Sequence, residues 1–288
     1  MDLNNDGHRD ILSGSYSRTG NSMAGLFQVL WGCADGSFKQ AAVLSGTDHQ
    51  PLIIPVKGEQ DQVENICTRP TAVDWDGDGD LDLIVGNFAG TFYIFSGDGR
   101  GEFAPKPQAM MAGGSRLKIE GAHSDPFVVD WDGDGDLDLL SGSSAGGVQW
   151  AENVAGKGKL PDLKSFKSLI KPGPEIRPGR LLGEQDLSEP AGSTRIWVDD
   201  VNSDGKLDIL VGDSVTLVSL AQGVTQDEFA KKSAKWQEAF DAATEAMRKP
   251  GDRNQQEAAN KRFQQLYQER TKFMREERTG FVWLYVRK

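Results

Sequence analysis

The chain has 288 residues with 34 Gly and 12 Pro, enough to bury a large core and turn-rich in the manner of β proteins. Its net charge of −11 argues against a nucleic-acid partner, but the acids are concentrated in four short stretches that hold 16 of the 43. The other 27 acids stand against 32 Lys and Arg, and no apolar run approaches membrane-spanning length, so no membrane insertion is expected.

The first acidic stretch is Asp2-Leu3-Asn4-Asn5-Asp6-Gly7-His8-Arg9-Asp10-Ile11-Leu12. No strand and no signal peptide precede it, so we expect the chain to start inside a repeat, with an export signal upstream. A strand at Leu26–Trp31 and a turn at Asp35-Gly36-Ser37-Phe38, leading to an outer strand, follow. Gly46–Asn65, rich in Pro, Gly and charge, reads as a long surface loop. A strand at Arg69–Val73 then enters the second stretch, Asp74-Trp75-Asp76-Gly77-Asp78-Gly79-Asp80-Leu81-Asp82-Leu83-Ile84. Thr91–Phe95 reads as the next strand, and Gly99-Arg100-Gly101-Glu102-Phe103 as a turn toward an outer one.

The unit repeats from a strand at Pro126–Val129, through Asp130-Trp131-Asp132-Gly133-Asp134-Gly135-Asp136-Leu137-Asp138-Leu139-Leu140, to a strand at Gly147–Trp150. A second long surface loop is expected over Gly156–Pro190. Thr194–Val198 leads into the last stretch, Asp200-Val201-Asn202-Ser203-Asp204-Gly205-Lys206-Leu207-Asp208-Ile209-Leu210, and then the segment Ser214–Leu220. From about Gln226 to Arg278 the pattern turns helical. Phe229, Trp236, Phe240, Ala243 and Met247 share one face; Ala259, Phe263, Leu266, Phe273 and Met274 mark a second, with a break at Lys249-Pro250-Gly251. Phe281–Val286 returns as the third strand of the last unit, which makes the helical hairpin an insertion in it.

Each stretch places oxygen side chains at loop positions 1, 3, 5 and 9 with Gly at 6, and calcium takes six to eight such oxygens. Position 7 offers its backbone carbonyl, which tolerates His8, Asp80, Asp136 and Lys206 alike. Without an ion, carboxylates held this close repel one another. The ligands expected are Asp2, Asn4, Asp6, His8 and Asp10; Asp74, Asp76, Asp78, Asp80 and Asp82; Asp130, Asp132, Asp134, Asp136 and Asp138; and Asp200, Asn202, Asp204, Lys206 and Asp208. Position 12 is Ser13, Val85, Ser141 and Val211 rather than the Glu of an EF-hand, and a short apolar run bounded by Gly follows, so each loop joins two strands.

The pattern D-x-[DN]-x-[DN]-G-x-x-D-[IL]-[IL]-x-G resembles the calcium loop of FG-GAP/VCBS-type repeats, which include the β-propeller of integrin α chains and secreted bacterial proteins. The loop starts lie 72, 56 and 70 residues apart, a spacing that suits propeller blades. The expected fold is all-β, a propeller of about four blades in one domain, with units near 1–45, 66–110, 122–160 and 191–288 and the helical hairpin at 226–278. Up to four structural Ca²⁺ ions are implied. The expected function is a calcium-stabilised extracellular, cell-surface or periplasmic binding module for protein or glycan, without catalysis; a lectin-like propeller or a polysaccharide lyase or hydrolase is the alternative.

Other candidate chemistry is weaker. Gly142-Ser143-Ser144-Ala145-Gly146 matches a nucleophile elbow, but a strand follows where that motif needs a helix, so it reads as a β-turn. His123 reads as a structural hydrogen-bonder, and His49 lies in a loop with no visible partner. Trp75 and Trp131, at loop position 2, point away from the ion and are expected to pack between blades; exposed, they would instead suit a sugar ring. Cys33 and Cys67 pair in an oxidising compartment or stay as small buried thiols in a reducing one.

Overall fold

The structure is a computed structural model that describes residues 1–19, 22–56, 63–174, 179–249 and 253–288. The chain is mostly β, built from antiparallel sheets with two helices, and among the described residues the sheets close no ring. It divides into two compact units. Unit 1 comprises Met1–Pro172, Gly192–Asp213 and Phe281–Lys288; unit 2 comprises Gly173–Ala191 and Ser214–Gly280.

Unit 1 repeats one sheet plan. The first sheet joins β1 (Ile11–Ser13), β4 (Gln28–Leu30) and β5 (Ala42–Val43), beside a small hairpin of β2 (Ser17–Thr19) and β3 (Ser22–Ala24). The second runs β6 (Arg69–Val73), β7 (Asp82–Gly86), β8 (Phe92–Phe95) and β9 (Gln108–Ala109), followed by the hairpin of β10 (Met111–Ala112) and β11 (Ser115–Arg116). The third runs β12 (Asp125–Val129), β13 (Asp138–Gly142), β14 (Val148–Ala151) and β15 (Lys167–Ile170). In the fourth, β16 (Gly192–Asp199) pairs with β17 (Asp208–Leu220), whose first part, Ile209–Gly212, pairs with β19 (Val282–Tyr285). In the second, third and fourth sheets an acidic loop connects the first strand to the second.

Alternation along the strands builds the core between sheets, because successive side chains face opposite neighbours. Leu3, Val29, Leu83, Val85 and Phe95 fill the first seam; Trp75, Ile84, Phe92, Leu139 and Ala151 the second; Trp131, Leu140, Val148, Ile209 and Val211 the third. Each fully buried apolar side chain contributes roughly 1.5–3 kcal/mol relative to exposure. Both tryptophans at loop position 2 lie in these seams, as packing residues.

Unit 2 holds α1 (Gln226–Arg248) and α2 (Arg253–Arg270), with the break residues Pro250 and Gly251 outside the described ones. A capping box starts α1: Thr225 Oγ1 accepts from Glu228 N–H, and the Glu228 carboxylate accepts from Thr225 N–H at 3.0 Å. Phe229, Trp236 and Ala243 bury one face of α1, and Trp236 Nε1 donates to the Leu266 carbonyl at 2.8 Å. Met247, at the end of the expected stripe, is exposed.

Several expectations need correction. The helical region ends at Arg270, and Met274–Thr279 is strand β18, paired with Val215–Leu220 of β17. Phe273 and Met274 are buried, but beyond the helix. Strand β17 runs 13 residues without turning at Gly212. The two supposed surface loops also contribute core. Leu52 and Ile54 are buried in the first seam, while Leu163 and the outer strand β15 come from the second loop. Among the described residues no helix is long and apolar enough to cross a membrane.

Candidate metal centre

The four loops fold alike. In each, the position-1 carboxylate accepts the N–H of the position-6 glycine: Gly7 to Asp2 at 2.8 Å, Gly79 to Asp74 and Gly135 to Asp130 at 3.1 Å, Gly205 to Asp200 at 2.9 Å. The position-5 carboxylate accepts from position 7, as His8 to Asp6, Asp80 to Asp78, Asp136 to Asp134 and Lys206 to Asp204. Positions 4 and 6 take positive φ in every copy: +80° and +97° at Gly77 and Gly79, +60° and +85° at Ser203 and Gly205. Gly therefore suits both positions, and the polar Asn5 and Ser203 are what loops 1 and 4 place at the first.

This backbone gathers side-chain oxygens. Asp74, Asp76 and Asp78 each bring one carboxylate oxygen to within 4.8 Å of the others, and Asp130, Asp132 and Asp134 do the same. In loops 1 and 4 an asparagine replaces the middle carboxylate, and its amide bridges to the next aspartate: Asn4 Nδ2 to Asp6 and Asn202 Nδ2 to Asp204, both at 3.1 Å. Loops 2 and 3 are thus carboxylate triplets, whereas loops 1 and 4 each carry one negative charge fewer at these three positions. An all-oxygen donor set of this kind fits a hard divalent cation.

The position-9 aspartates are placed differently from the triplets. Asp10, Asp82, Asp138 and Asp208 are buried. Asp10 accepts from Leu3 and Gly32 N–H, Asp82 from Trp75 and Gly97, and Asp138 from Trp131 and Asn153. Each clamps its loop to the start of the next connection and keeps lone pairs to spare. Burial raises the pKa of Asp82 and Asp138 against the N–H donors that lower it, and the nearby loop carboxylates raise it further. A bound cation reverses that balance. Asp208 accepts from Arg287 N–H through Oδ1, while its buried Oδ2 has no partner among the described residues. At position 7, Asp136 takes the Gly156 N–H at 2.6 Å and leaves Oδ1 buried and unpartnered among those residues.

A second repeated device was missed in the sequence. The residue six ahead of loops 2, 3 and 4 is Thr68, Ser124 and Thr194, and its hydroxyl accepts from the preceding sheet: Ser15 N–H at 3.1 Å, Asn87 at 2.8 Å and Ser143 at 2.9 Å. Just before it, Cys67, His123 and Ser193 hold φ near +52°, +60° and +53°. The glycine that ends, or directly follows, the strand after each of the first three loops makes room for this staple. A Cβ on Gly14, Gly86 or Gly142 would stand 1.9, 2.2 or 2.3 Å from the carbonyl oxygen of Thr68, Ser124 or Thr194. Only alignment of the repeats on their loops reveals the signal.

The remaining candidates resolve simply. Ser143 and Ser144 occupy the turn between β13 and β14, and Ser143 Oγ caps that turn through Ala145 N–H and the Gly146 carbonyl. His49 does have a partner, Glu102, with Nδ1 3.5 Å from its carboxylate. The His123 ring lies 4.4 Å from that of Phe88, and its carbonyl accepts from Arg69 at 2.7 Å. Cys33 and Cys67 are both free and half-buried.

Residues 74–141 match the sequence model of the FG-GAP-like repeat, a span that holds both carboxylate triplets and strands β7, β8 and β12. The chain thus carries an FG-GAP-like repeat, as the resemblance predicts. Comparison with curated proteins finds none that matches.

Proposed function

We propose that the chain is a calcium-stabilised extracellular binding module, four blades of a propeller whose loops recognise a protein or glycan. The observation that carries the reading is the convergence of two aspartate triplets on identical backbone turns. Calcium is the occupant because it tolerates irregular oxygen cages and binds more tightly as ligand charge rises. Loops 2 and 3 are then the tighter sites, and loops 1 and 4, with Asn4 and Asn202, the weaker pair. The buried Trp75 and Trp131 turn the search for a ligand away from the loop aromatics. A recess of about 330 Å³ beside loop 1, lined in part by Trp31, Lys39, Arg100 and Glu102, combines an aromatic face with charge and is a better place for a glycan or acidic peptide.

The test is thermal unfolding with calcium and with chelator, alongside titration calorimetry. The reading expects a large calcium-dependent rise in Tm and two affinity classes. A melting curve indifferent to calcium, with no binding heat, sinks it.

A further inference from the structure

We propose that the open face of the fourth sheet is an interaction surface that receives the first sheet of a second copy of this chain, as the next member of the series. The three seams inside unit 1 follow one rule. Each sheet presents its loop position-2 residue to the sheet that follows, and its position-10 residue to the sheet before. Leu3, Trp75 and Trp131 are buried in this way, but the fourth such residue, Val201, is 47% exposed. Leu83, Leu139 and Ile209 are buried, but the first such residue, Ile11, is 47% exposed. Among the described residues, one trailing face and one leading face are left without a partner.

The rest of the fourth sheet agrees. Val282 stands in register with Val148 of the third sheet, since Leu210 pairs with Leu284 as Leu140 pairs with Trp150. Val148 is fully buried, whereas Val282 is 75% exposed. Leu284 and Val286 are exposed on the same face. At Gly212 the slot that takes a Ser or Thr carbonyl in the other three seams has nothing within 4 Å. A contiguous apolar sheet face of this kind marks an interaction site.

The occupant follows from continuity with the three internal seams. The unmatched leading face belongs to the first sheet, where Ile11 and Val43 are exposed and β1 is an edge strand. The contact is therefore heterologous, head to tail, and it leads either to a closed ring or to an open chain of copies. The contact is built from apolar side chains, and association depends on concentration.

Sedimentation velocity and light scattering across a concentration range, with calcium present, test this. Wild-type protein should exceed monomer mass as concentration rises. Val282→Lys with Leu284→Lys, or Ile11→Lys alone, should weaken association roughly tenfold or more. Leu160→Lys, exposed in the connection after β14, should leave it unchanged. Circular dichroism and melting curves confirm that each variant is folded. Mixing the two blocked variants should restore a one-to-one dimer, since each keeps one complementary face. Wild-type protein that stays monomeric at every concentration overturns the proposal. So does Ile11→Lys protein that self-associates as wild type does, because that outcome means a symmetric contact between two fourth sheets.

Discussion

Gly142 shows how a single missing Cβ sets a seam. Its φ lies outside the left-handed region, so alanine brings no backbone strain there; the obstacle is the Thr194 carbonyl oxygen, 2.3 Å from where the new methyl would stand. Gly142→Ala should therefore destabilise unit 1 by roughly 1–3 kcal/mol through overpacking. Gly212→Ala, at the same repeat position with an open surround, should be near neutral in the monomer. Chemical denaturation of the two variants decides, and equal effects would remove the staple from the account. His123 supplies a second residue-scale test. Burial depresses its pKa below 6.5, aided by the charges of Arg69 and Arg195. Asp125, paired with both arginines, and the Cys67 thiol share this cluster. Well above pH 6.5 the imidazole is neutral folded or unfolded, and stability is unaffected. As pH falls below that value the unfolded chain takes the proton first, so stability is lost until the folded pKa is passed. His123→Asn keeps a residue that tolerates the positive φ, and should flatten this part of the stability–pH curve. An unchanged slope would place the pH dependence elsewhere.

At the scale of elements, the acidic loop is a device with two opposite energies. Asp132 sits between Asp130 and Asp134, with one oxygen of each within 4.8 Å of the others. Without a cation these charges oppose the turn that the Gly133 and Gly135 backbone makes; with one they become its ligands. Asp132→Asn should thus raise the Tm in chelator and shrink the rise that calcium brings. Calcium titration of the melting temperature measures both signs at once, and a loss of Tm in chelator would contradict the repulsion argument. These loops were legible in the sequence because their spacing is dictated by a short-range turn. So were β6, β12 and β16, whose apolar runs end at a loop. Strand β18 was not, since Met274-Arg275-Glu276-Glu277-Arg278-Thr279 is polar and helix-compatible; pairing with Val215–Leu220 decides its state. Strand β15 was hidden for a related reason. Lys167-Ser168-Leu169-Ile170 lies in a Pro- and Gly-rich stretch, and its outer-strand role comes from Val148 and Trp150 beside it. The hydroxyl staples carry no periodicity at all, and three Ser or Thr residues are too common a signal without the repeat alignment.

For the whole molecule, the division of labour between the two units is the consequence that matters. All four acidic loops belong to unit 1, while both helices belong to unit 2, whose core is Val218, Phe229, Trp236, Leu266, Phe273 and Met274. A ligand that binds only the native state stabilises the cooperative segment that contains its site. Calcium should therefore move the unfolding of unit 1 and leave unit 2 nearly fixed. The two can be watched separately, because the helical far-ultraviolet signal comes from unit 2, and Trp236 is its only tryptophan among the seven in the chain. In the Trp236→Phe variant, fluorescence reports unit 1 alone. Heated with and without calcium, the fluorescence transition should shift by many degrees and the helical transition by little. Coincident transitions that shift together would mean that β17, whose two parts pair with β19 and β18 respectively, welds the units into one cooperative fold. In that case the stability of the helical hairpin would itself answer to calcium, although none of the expected ligands lies within it.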